Sequence, residues 1–408
     1  MDLSTTASGT PRAIDSARFA MNGVAPRLAW RPETAAETAD AVRQAAAENL
    51  ALVPWGGGVT LARESAPERY DLALDLTALK RVTVYEPDDF TVTAECGITI
   101  ADLHATLAAQ KQELPLEAAE AWGATLGGVL AANASGARRR AFGSPRDRIL
   151  GARFVTGDGV LAKTGGRVVK NVAGHAVHRL LVGSRGGLGV LLEASLKLLP
   201  QPPARTAMLW GVDAAALADA NRWRDWPRRE PAALTVLGRA IAARNPVLAS
   251  DAPYAVIAGF EDDAAWVADC AAFARTSLGA ARVKVQDTSV PPLWQQLADF
   301  EEMPGTRLTF TTTANTPDAI AFLNGRPVAE RFVFHAACGR LHAWPADDEV
   351  PALVTELAGR GFALVEARGA TLPGRSTDGP IAVLRKQLRA AMDPKAVFAR
   401  GDRWVTQG

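Results

Sequence analysis

The sequence predicts an α+β protein of more than one domain, and three observations predict it. Short apolar and β-branched runs alternate with amphipathic helical stretches up to Pro200, which argues for α/β or α+β and against a sandwich or bundle. The run Pro200-Gln201-Pro202-Pro203 then breaks both ladders and helices. Beyond it, strand-like runs separated by alanine-rich helical stretches suggest a second, ferredoxin-like α+β layer. Length agrees: 408 residues make two to three domains at roughly 100–200 residues each.

Composition removes several classes of function. A net charge of +1 gives no excess that would draw nucleic acid or an acidic membrane. Three scattered cysteines, Cys96, Cys270 and Cys338, form neither a disulfide framework nor a CxxC site, which suits a reducing compartment. The N-terminus MDLSTTASGTPRAIDSARF lacks an apolar core for a secretory signal. No run reaches the ~18 apolar residues that a spanning helix needs. A cytoplasmic chain with no nucleic-acid partner and no transmembrane segment is expected.

Taken in order, residues 1–28 are small and polar and read as an extension, poorly ordered at its start. Pro32-Glu33 starts a helix, with proline in the first turn and an acid at the positive end of the dipole. Ala39, Val42, Ala46 and Leu50 fall on one face of it. Ala51–Pro54 is a buried strand, followed by strands at Asp71–Asp75, Arg81–Tyr85 and Thr91–Ala94. Thr99 caps a helix carrying Ile100, Leu103 and Leu107. Ile149–Thr156 is an apolar strand. Later strands are expected at Leu234–Leu237, Tyr254–Ala258, Val283–Val285, Leu308–Thr313, Val333–His335 and Ala363–Ala367, with no internal repeat. Ile381–Ala391 is a helix with Leu384 and Leu388 on one face, and Val397-Phe398 packs as a tail.

Glycine inside regular structure costs about 0.5–1 kcal/mol relative to alanine. Its density from Gly123 to Pro200 therefore points to a purpose other than side-chain packing, and close approach of backbone to a bulky phosphate-bearing ligand is the usual one. Four motifs carry the argument. The first, Pro54, Trp55, Gly56, Gly57, Gly58, Val59 and Thr60, follows a strand; it is either a tight turn or a concave nest of amides for an anion. No Gly-Lys-Ser/Thr follows and no GxGxxG opens a helix, which excludes a P-loop and a Rossmann fingerprint. The second comprises Gly123, Ala124, Thr125, Gly127 and Gly128, then Asn133, Ser135 and Gly136. It is either a close-packed helix start or a set of amides and a hydroxyl turned to a diphosphate. The third, Arg138 to Asp147, reads as a solvated charge run, yet the turn Gly143-Ser144-Pro145 beside Asp147 is placed to hydrogen-bond a cofactor. The fourth is Lys170-Asn171-Val172-Ala173-Gly174 followed by Val182–Leu198. There Gly189 and Val190 either close a hairpin or leave a backbone edge that reads the polar rim of a flat ring.

In this order the four motifs resemble the PCMH-type FAD-binding domain of the vanillyl-alcohol oxidase superfamily, across residues 50–200. More closely, the chain is similar to the FAD-binding accessory subunits of bacterial glycolate oxidases. Arg138-Arg139, Val169–Gly174, Leu293-Trp294-Gln295-Gln296-Leu297, Pro304-Gly305-Thr306 and Leu388 with Asp393-Pro394-Lys395-Ala396-Val397-Phe398 carry that likeness. The resemblance implies an N-terminal extension (1–28), a two-subdomain FAD-binding domain (29–200), a ferredoxin-like α+β cap (204–375) and a C-terminal segment (376–408) that returns to the FAD domain. It implies FAD with its diphosphate on 54–60 and 123–128 and its isoalloxazine near Asn133, Ser135, Gly136, Asp147, Gly189 and Val190. Relatives with covalent FAD commonly carry a histidine in the first glycine loop or near position 96. Val59 and Cys96 stand there instead, which implies noncovalent FAD.

Relatives that oxidise D-2-hydroxy acids carry a His-Ala-Gly-Asp-Gly-Asn-Leu-His segment and a later Gly-Glu-His-Gly segment, which hold a divalent metal. This chain has His335-Ala336-Ala337-Cys338-Gly339-Arg340-Leu341-His342, and a turn at Gly339 can bring the histidines together despite their opposite strand parity. Cys338 replaces the aspartate, and no Gly-Glu-His-Gly follows. Two imidazoles without a carboxylate or third nitrogen make a poor catalytic site, so no metal is expected. His175-Ala176 also replaces Tyr-Asp, and Ala399-Arg400-Gly401 replaces Asn-Pro-Gly. Arg340, Arg385 and His342 remain as candidates to grip a substrate carboxylate, and no catalytic residue is assigned.

The resemblance thus implies an FAD-binding subunit of a multi-subunit glycolate (D-2-hydroxy acid) oxidase or dehydrogenase. Its partners would be a larger homologous flavin subunit, an iron–sulfur subunit and a small 2-hydroxy acid such as glycolate. The chain has no cysteine pattern for a cluster of its own. Its place would be the cytoplasm, or the inner-membrane periphery through partner subunits. Two alternatives stand beside this: a stand-alone FAD-dependent 2-hydroxy-acid dehydrogenase, and a non-catalytic scaffold on a flavin fold.

Overall fold

The computed structural model describes residues 12–64, 66–167, 175–313, 316–321, 326–369 and 380–400, so the 169–174 motif and Gly401 lie outside the described residues. The chain divides into two compact units. One holds the residues up to Ala134, Ser144–Pro200 and the C-terminal segment; the other holds Ser135–Gly143 and the residues from Gln201 onward.

In the first unit, β1 (Arg12–Ala13), β2 (Leu28–Arg31), β3 (Leu52–Trp55) and β4 (Leu72–Asp75) form a sheet in the order β1-β2-β4-β3, parallel from β2 to β3. Residues 12–28 belong to this body, and the start of the expected extension lies outside the described residues. Phe19 and Met21 are buried beside Trp55, and the Tyr70 hydroxyl donates to the Phe19 carbonyl at 2.7 Å. Two apolar anchors in a polar stretch were enough to order it. Helix α1 (Ala35–Ala47) begins after Pro32, not at it, because the Thr34 hydroxyl caps it by accepting the Glu37 amide at 3.1 Å. The C-terminal tail extends the same sheet: Leu52 donates to the Val397 carbonyl at 2.8 Å, and Val397 and Phe398 are buried.

The second sheet of this unit is antiparallel. It contains β5 (Val82–Glu86), β6 (Thr91–Glu95), β8 (Ile149–Val155), β9 (Leu161–Gly165) and β10 (Val190–Lys197), in the order β5-β6-β10-β8-β9. A two-stranded pair, β7 (Gln112–Glu113) and β11 (Leu199–Pro200), lies apart from it. Helices α2 (Ile100–Ala108), capped by Thr99, and α3 (Leu126–Ala132) bury Leu103, Leu107, Leu126 and Leu130 with Ala94, Ala194 and Leu196 of the sheet. Of the last helix, α14 (Pro380–Met392), Leu388 and Met392 pack on this core. Leu384 is 55 % exposed and Ala382 is the buried residue, so the predicted Leu384–Leu388 face meets the core only at its C-terminal half.

The second unit is one eight-stranded antiparallel sheet. Its first half is β12 (Ala204–Val212), the short helices α7 (Ala214–Ala218) and α8 (Ala220–Trp223), β13 (Ala233–Gly238), the one-turn α9 (Arg239–Ala242), β14 (Tyr254–Asp262), α10 (Ala264–Leu278) and β15 (Val283–Gln286). Helix α11 (Val290–Glu301) leads to the second half: β16 (Arg307–Thr312), α12 (Thr316–Ala321), β17 (Phe332–His335), β18 (Arg340–Ala343), α13 (Val350–Gly359) and β19 (Phe362–Arg368). The sheet order β15-β12-β14-β13-β17-β18-β16-β19 is a ferredoxin-like unit followed by its mirror-ordered copy, joined through β13 and β17. An internal repeat therefore exists where the sequence showed none. It lives in topology and apolar alternation and leaves no shared motif. β12 and β18 were also unforeseen, the first directly behind the proline run and the second short and rich in polar residues.

One face of this sheet packs on α10 and α13 through Met208, Val236, Phe260, Phe310 and Leu341. The other carries α11, whose Leu293, Trp294 and Leu297 cover Leu209, Leu237 and Val333. Ser135–Gly143, containing the one-turn α4 (Arg139–Phe142), is held here by charge. Buried Arg138 lies 2.9 Å from Glu261, which also meets Arg205 at 3.4 Å and accepts the Trp294 indole N–H at 2.8 Å. At Arg138 the expected solvated charge run is a buried ion pair instead, while Arg140 is exposed.

Candidate functional site

Strand β3 delivers Pro54 and Trp55 into the first glycine loop, and the second loop packs on it backbone to backbone. A Cβ on Gly56 would sit 2.2 Å from the Thr125 Oγ1, and one on Gly57 only 1.9 Å from the Gly123 carbonyl oxygen. No side chain fits between the two loops. The Thr125 hydroxyl ties them, accepting from the Gly128 amide at 3.3 Å as the cap of α3 and from the Gly57 amide at 3.4 Å. A Cβ on Gly127 would also be too close, 2.9 Å from the Cys96 carbonyl oxygen. Two positions behave differently. Gly123, at φ +77°, would meet nothing within 4 Å, and exposed Gly128 would meet only the Thr125 hydroxyl at 3.3 Å. The loops thus keep one face closed against each other and one face open. Gly58 takes φ +75°, Val59 and Thr60 enter the following turn, and Ala124 is buried behind it.

The other predicted residues are distributed unequally. Asn133 ends α3 in the left-handed conformation at φ 51°, and its Oδ1 is buried without a partner among the described residues. Ser135 and Gly136 follow it in sequence but fall in the second unit, where the Arg139 guanidinium donates to Ser135 Oγ at 2.6 Å. Asp147 serves its own helix, α5 (Pro145–Arg148): its Oδ2 accepts the Ser144 amide and hydroxyl, both at 2.8 Å, in a capping box. Gly189 precedes β10, and Val190 pairs with Val155 on one side while the ladder to β6 starts only at Glu193. Cys96 is buried, and burial pushes its thiol up from the ordinary value.

Sequence reasoning missed a set of charges around the loops. The Arg63 guanidinium donates to the Val59 carbonyl at 2.7 Å and lies 4.4 Å from the centre of the exposed Trp122 ring, bridging the two glycine loops. Glu64 is buried between Arg185, at 2.5 Å, and the buried Arg400. The short helix α6 (His178–Leu181) precedes Arg185, which takes φ 53°. Isolated arginines in loops carry no sequence pattern, so nothing marked them in advance.

A second polar cluster sits on the α11 face of the eight-stranded sheet. Gly339, at φ +66°, turns the β17–β18 hairpin and pairs His335 with Arg340 and Val333 with His342, which brings the two imidazole centres to 5.8 Å. Glu301, at the end of α11, meets both: Oε1 is 3.0 Å from His335 Nε2, and Oε2 is 3.2 Å from His342 Nε2 without hydrogen-bond alignment. The sequence reading lacked this carboxylate because it comes from a different element. Behind the rings, His335 Nδ1 lies 2.9 Å from Thr235 Oγ1 and His342 Nδ1 lies 3.0 Å from Thr309 Oγ1. Burial holds His342 well below the ordinary imidazole range. Burial opposes ionisation of Glu301, yet the two imidazoles and the Arg340 guanidinium outweigh it and hold the carboxyl well below its usual range. The Arg340 Nε is buried without a partner among the described residues. Arg340 and His342 share β18, whereas Arg385 lies on α14 of the other unit, its pKa lowered by burial.

The class of protein follows from the first unit. Residues 26–165 match the family model described as an FAD binding domain. This region is therefore an FAD-binding domain, and the chain an FAD-binding protein. Its residues fit the cofactor: two glycine loops closed on one side and open on the other, and an orphaned acceptor at Asn133. The expected PCMH-type α+β architecture is borne out by solved structures. Alkyldihydroxyacetonephosphate synthase superposes with TM-score 0.68 at 18% identity over 92% of this chain and 77% of its own. p-Cresol methylhydroxylase gives 0.69 at 15% over 92% and 88%.

Curated relatives narrow the kinship further. The glycolate oxidase subunit GlcE of Escherichia coli is 28% identical over 340 residues, covering 80% of this chain and 86% of that protein. A D-2-hydroxyglutarate dehydrogenase of Xanthomonas citri is 32% identical over 178 residues, 44% of this chain and 38% of the relative. The glycolate oxidase subunit GlcD of Bacillus subtilis is 30% identical over 168 residues, 40% and 36%. The chain thus spans less than two fifths of the last two. No helix among the described residues is long and apolar enough to cross a membrane.

Proposed function

We propose that this chain is an FAD-binding, oxidoreductase subunit of a glycolate (D-2-hydroxy acid) oxidase or dehydrogenase. The observation that carries the reading is the likeness to GlcE across 86% of that protein, beyond the FAD-binding region alone. FAD supplies a two-electron acceptor when bound. Of this chain's residues, the open face of Gly56–Thr60, Gly123–Thr125 and Gly128 would hold the diphosphate, with Arg63 as the nearby cation. Asn133 and Val190 would hold the ring system by side-chain and backbone hydrogen bonds, with Gly189 leaving space for it. The structural work already given to Asp147 by its capping box weakens its earlier assignment to the cofactor. The buried, high-pKa Cys96 and the absence of histidine in Pro54–Thr60 support noncovalent FAD.

A larger homologous flavin subunit would oxidise the hydroxy acid, and an iron–sulfur subunit would carry electrons onward. This assembly would sit in the cytoplasm or at the inner-membrane periphery. The purified chain is expected to be yellow, with a flavin band released by acid; a chain colourless after incubation with excess FAD contradicts the reading.

One observation favours a second reading, a stand-alone dehydrogenase. The buried Arg340 Nε–H, on the same strand as His342 and without a partner among the described residues, is a donor that a carboxylate can take. Anaerobic addition of glycolate separates the two. Bleaching of the isolated chain's flavin supports the stand-alone enzyme, and an unchanged band supports the subunit.

A further inference from the structure

We propose that Glu301, His335 and His342 form a metal-free clamp, in which Thr235 and Thr309 hold both imidazoles as Nε2–H donors facing the Glu301 carboxylate. Two imidazoles and a carboxylate are a donor set that zinc can use. The atoms around the set decide otherwise.

The first argument is the accounting of hydroxyl protons. Thr235 and Thr309 are both fully buried, and the polar partner of each hydroxyl among the described residues is a histidine Nδ1, at 2.9 and 3.0 Å. A threonine hydroxyl has one proton to donate, and a neutral imidazole has one donor and one acceptor nitrogen. If each hydroxyl donates to Nδ1, the ring proton stands on Nε2: that of His335 is donated to Glu301 at 3.0 Å, and that of His342 stands 3.2 Å from the same carboxylate without hydrogen-bond alignment. A metal on Nε2 would move the ring proton to Nδ1, which would then donate to the hydroxyl. Both threonine protons would be left buried without an acceptor, a state that folded proteins avoid.

The second argument is charge. Arg307 lies 2.6 Å from Glu366 and 3.8 Å from Glu302, and Arg368 pairs with the same two acids. Arg340 acts on both Glu301 and His342. Glu302 and Glu366 are thus already matched by Arg307 and Arg368 beside the site. A divalent ion there would meet one carboxylate, Glu301, on which the Arg340 guanidinium already acts, and two uncharged imidazoles, so its charge would be poorly compensated in a buried site. The clamp has its own work to do: it pins the β17–β18 hairpin to the end of α11.

The test uses the full chain. Metal content is measured on the purified protein, and melting is followed untreated, in EDTA, and after adding zinc or manganese chloride. Far less than one metal per chain and an unchanged melting temperature are expected throughout. One bound metal per chain, or a zinc-induced rise that His342→Gln abolishes, overturns the proposal. The tautomers are read separately by NMR of the ¹⁵N-histidine-labelled wild type, assigned with His335→Gln and His342→Gln. Both rings are expected to carry the proton on Nε2, and protons on Nδ1 would overturn it. Thr309→Val is expected to lower the melting temperature and to give His342 a mixed tautomer; an unchanged His342 signal contradicts the role of Thr309.

Discussion

Single glycines separate packing from ligand approach. Gly57→Val is expected to disrupt the loop pair itself, because its Cβ would fall 1.9 Å from the Gly123 oxygen. Its readout is a loss of soluble, cooperatively melting protein. Exposed Gly128 would meet only the rotatable Thr125 hydroxyl, at 3.3 Å, so Gly128→Val is expected to stay folded while losing FAD, read as the flavin-to-protein ratio. Full flavin retention in the folded Gly128→Val protein would move the diphosphate elsewhere. A second residue-scale prediction concerns pH. The pKa values of His342 and Glu301 are both lowered on folding. Their contribution is therefore present at neutral pH and lost as pH falls, beginning near the ordinary imidazole value of 6.5, where the unfolded chain takes up a proton that folded His342 refuses. Urea unfolding at pH 7.5 and 5.5, in wild type and His342→Gln, measures it; equal pH slopes would contradict it. At this scale the sequence was half legible. The glycine runs announced the cradle, but Glu301, Arg63 and Arg400 reach their sites from distant elements, and no local pattern reports that.

At the scale of elements, two features position what the residues do. Gly339 sets the hairpin that joins the histidines, and a Cβ there would lie 2.0 Å from the Thr312 carbonyl in addition to the strain of φ +66°. Gly339→Ala is expected to destabilise by at least ~1 kcal/mol, seen as a lower melting temperature. The segment Ser135–Gly143 depends on Glu261, whose side chain is fully buried between Arg138 and Arg205. Glu261→Gln removes the buried charge that both guanidiniums meet, and up to about 3–5 kcal/mol of stability should go with it. A change below ~1 kcal/mol in chemical denaturation would mean that the pair is solvated as a surface pair is. The elements themselves were largely readable, since apolar alternation and the Thr99 cap depend on neighbours in sequence. Thr34 shows the limit: Pro32-Glu33 was an attractive start, and a better cap two residues on won. The ferredoxin-like duplication was invisible because strand order is a long-range property.

At the scale of the whole molecule, fold and cofactor are better determined than chemistry. A glycine cradle of this kind and the likeness to GlcE across 86% of that protein support a flavin-holding subunit, while the Glu301–His335–His342 cluster is proposed to do its work without metal. The central claim is that the flavin works within an assembly. Tagging the chain in its native cell, purifying under mild conditions and counting flavin and iron per complex tests it most directly. The account predicts co-purification of a larger flavoprotein and an iron–sulfur protein, with more than one FAD per copy of this chain and iron present. A chain that purifies alone, with one FAD, no iron and full glycolate turnover, would contradict it.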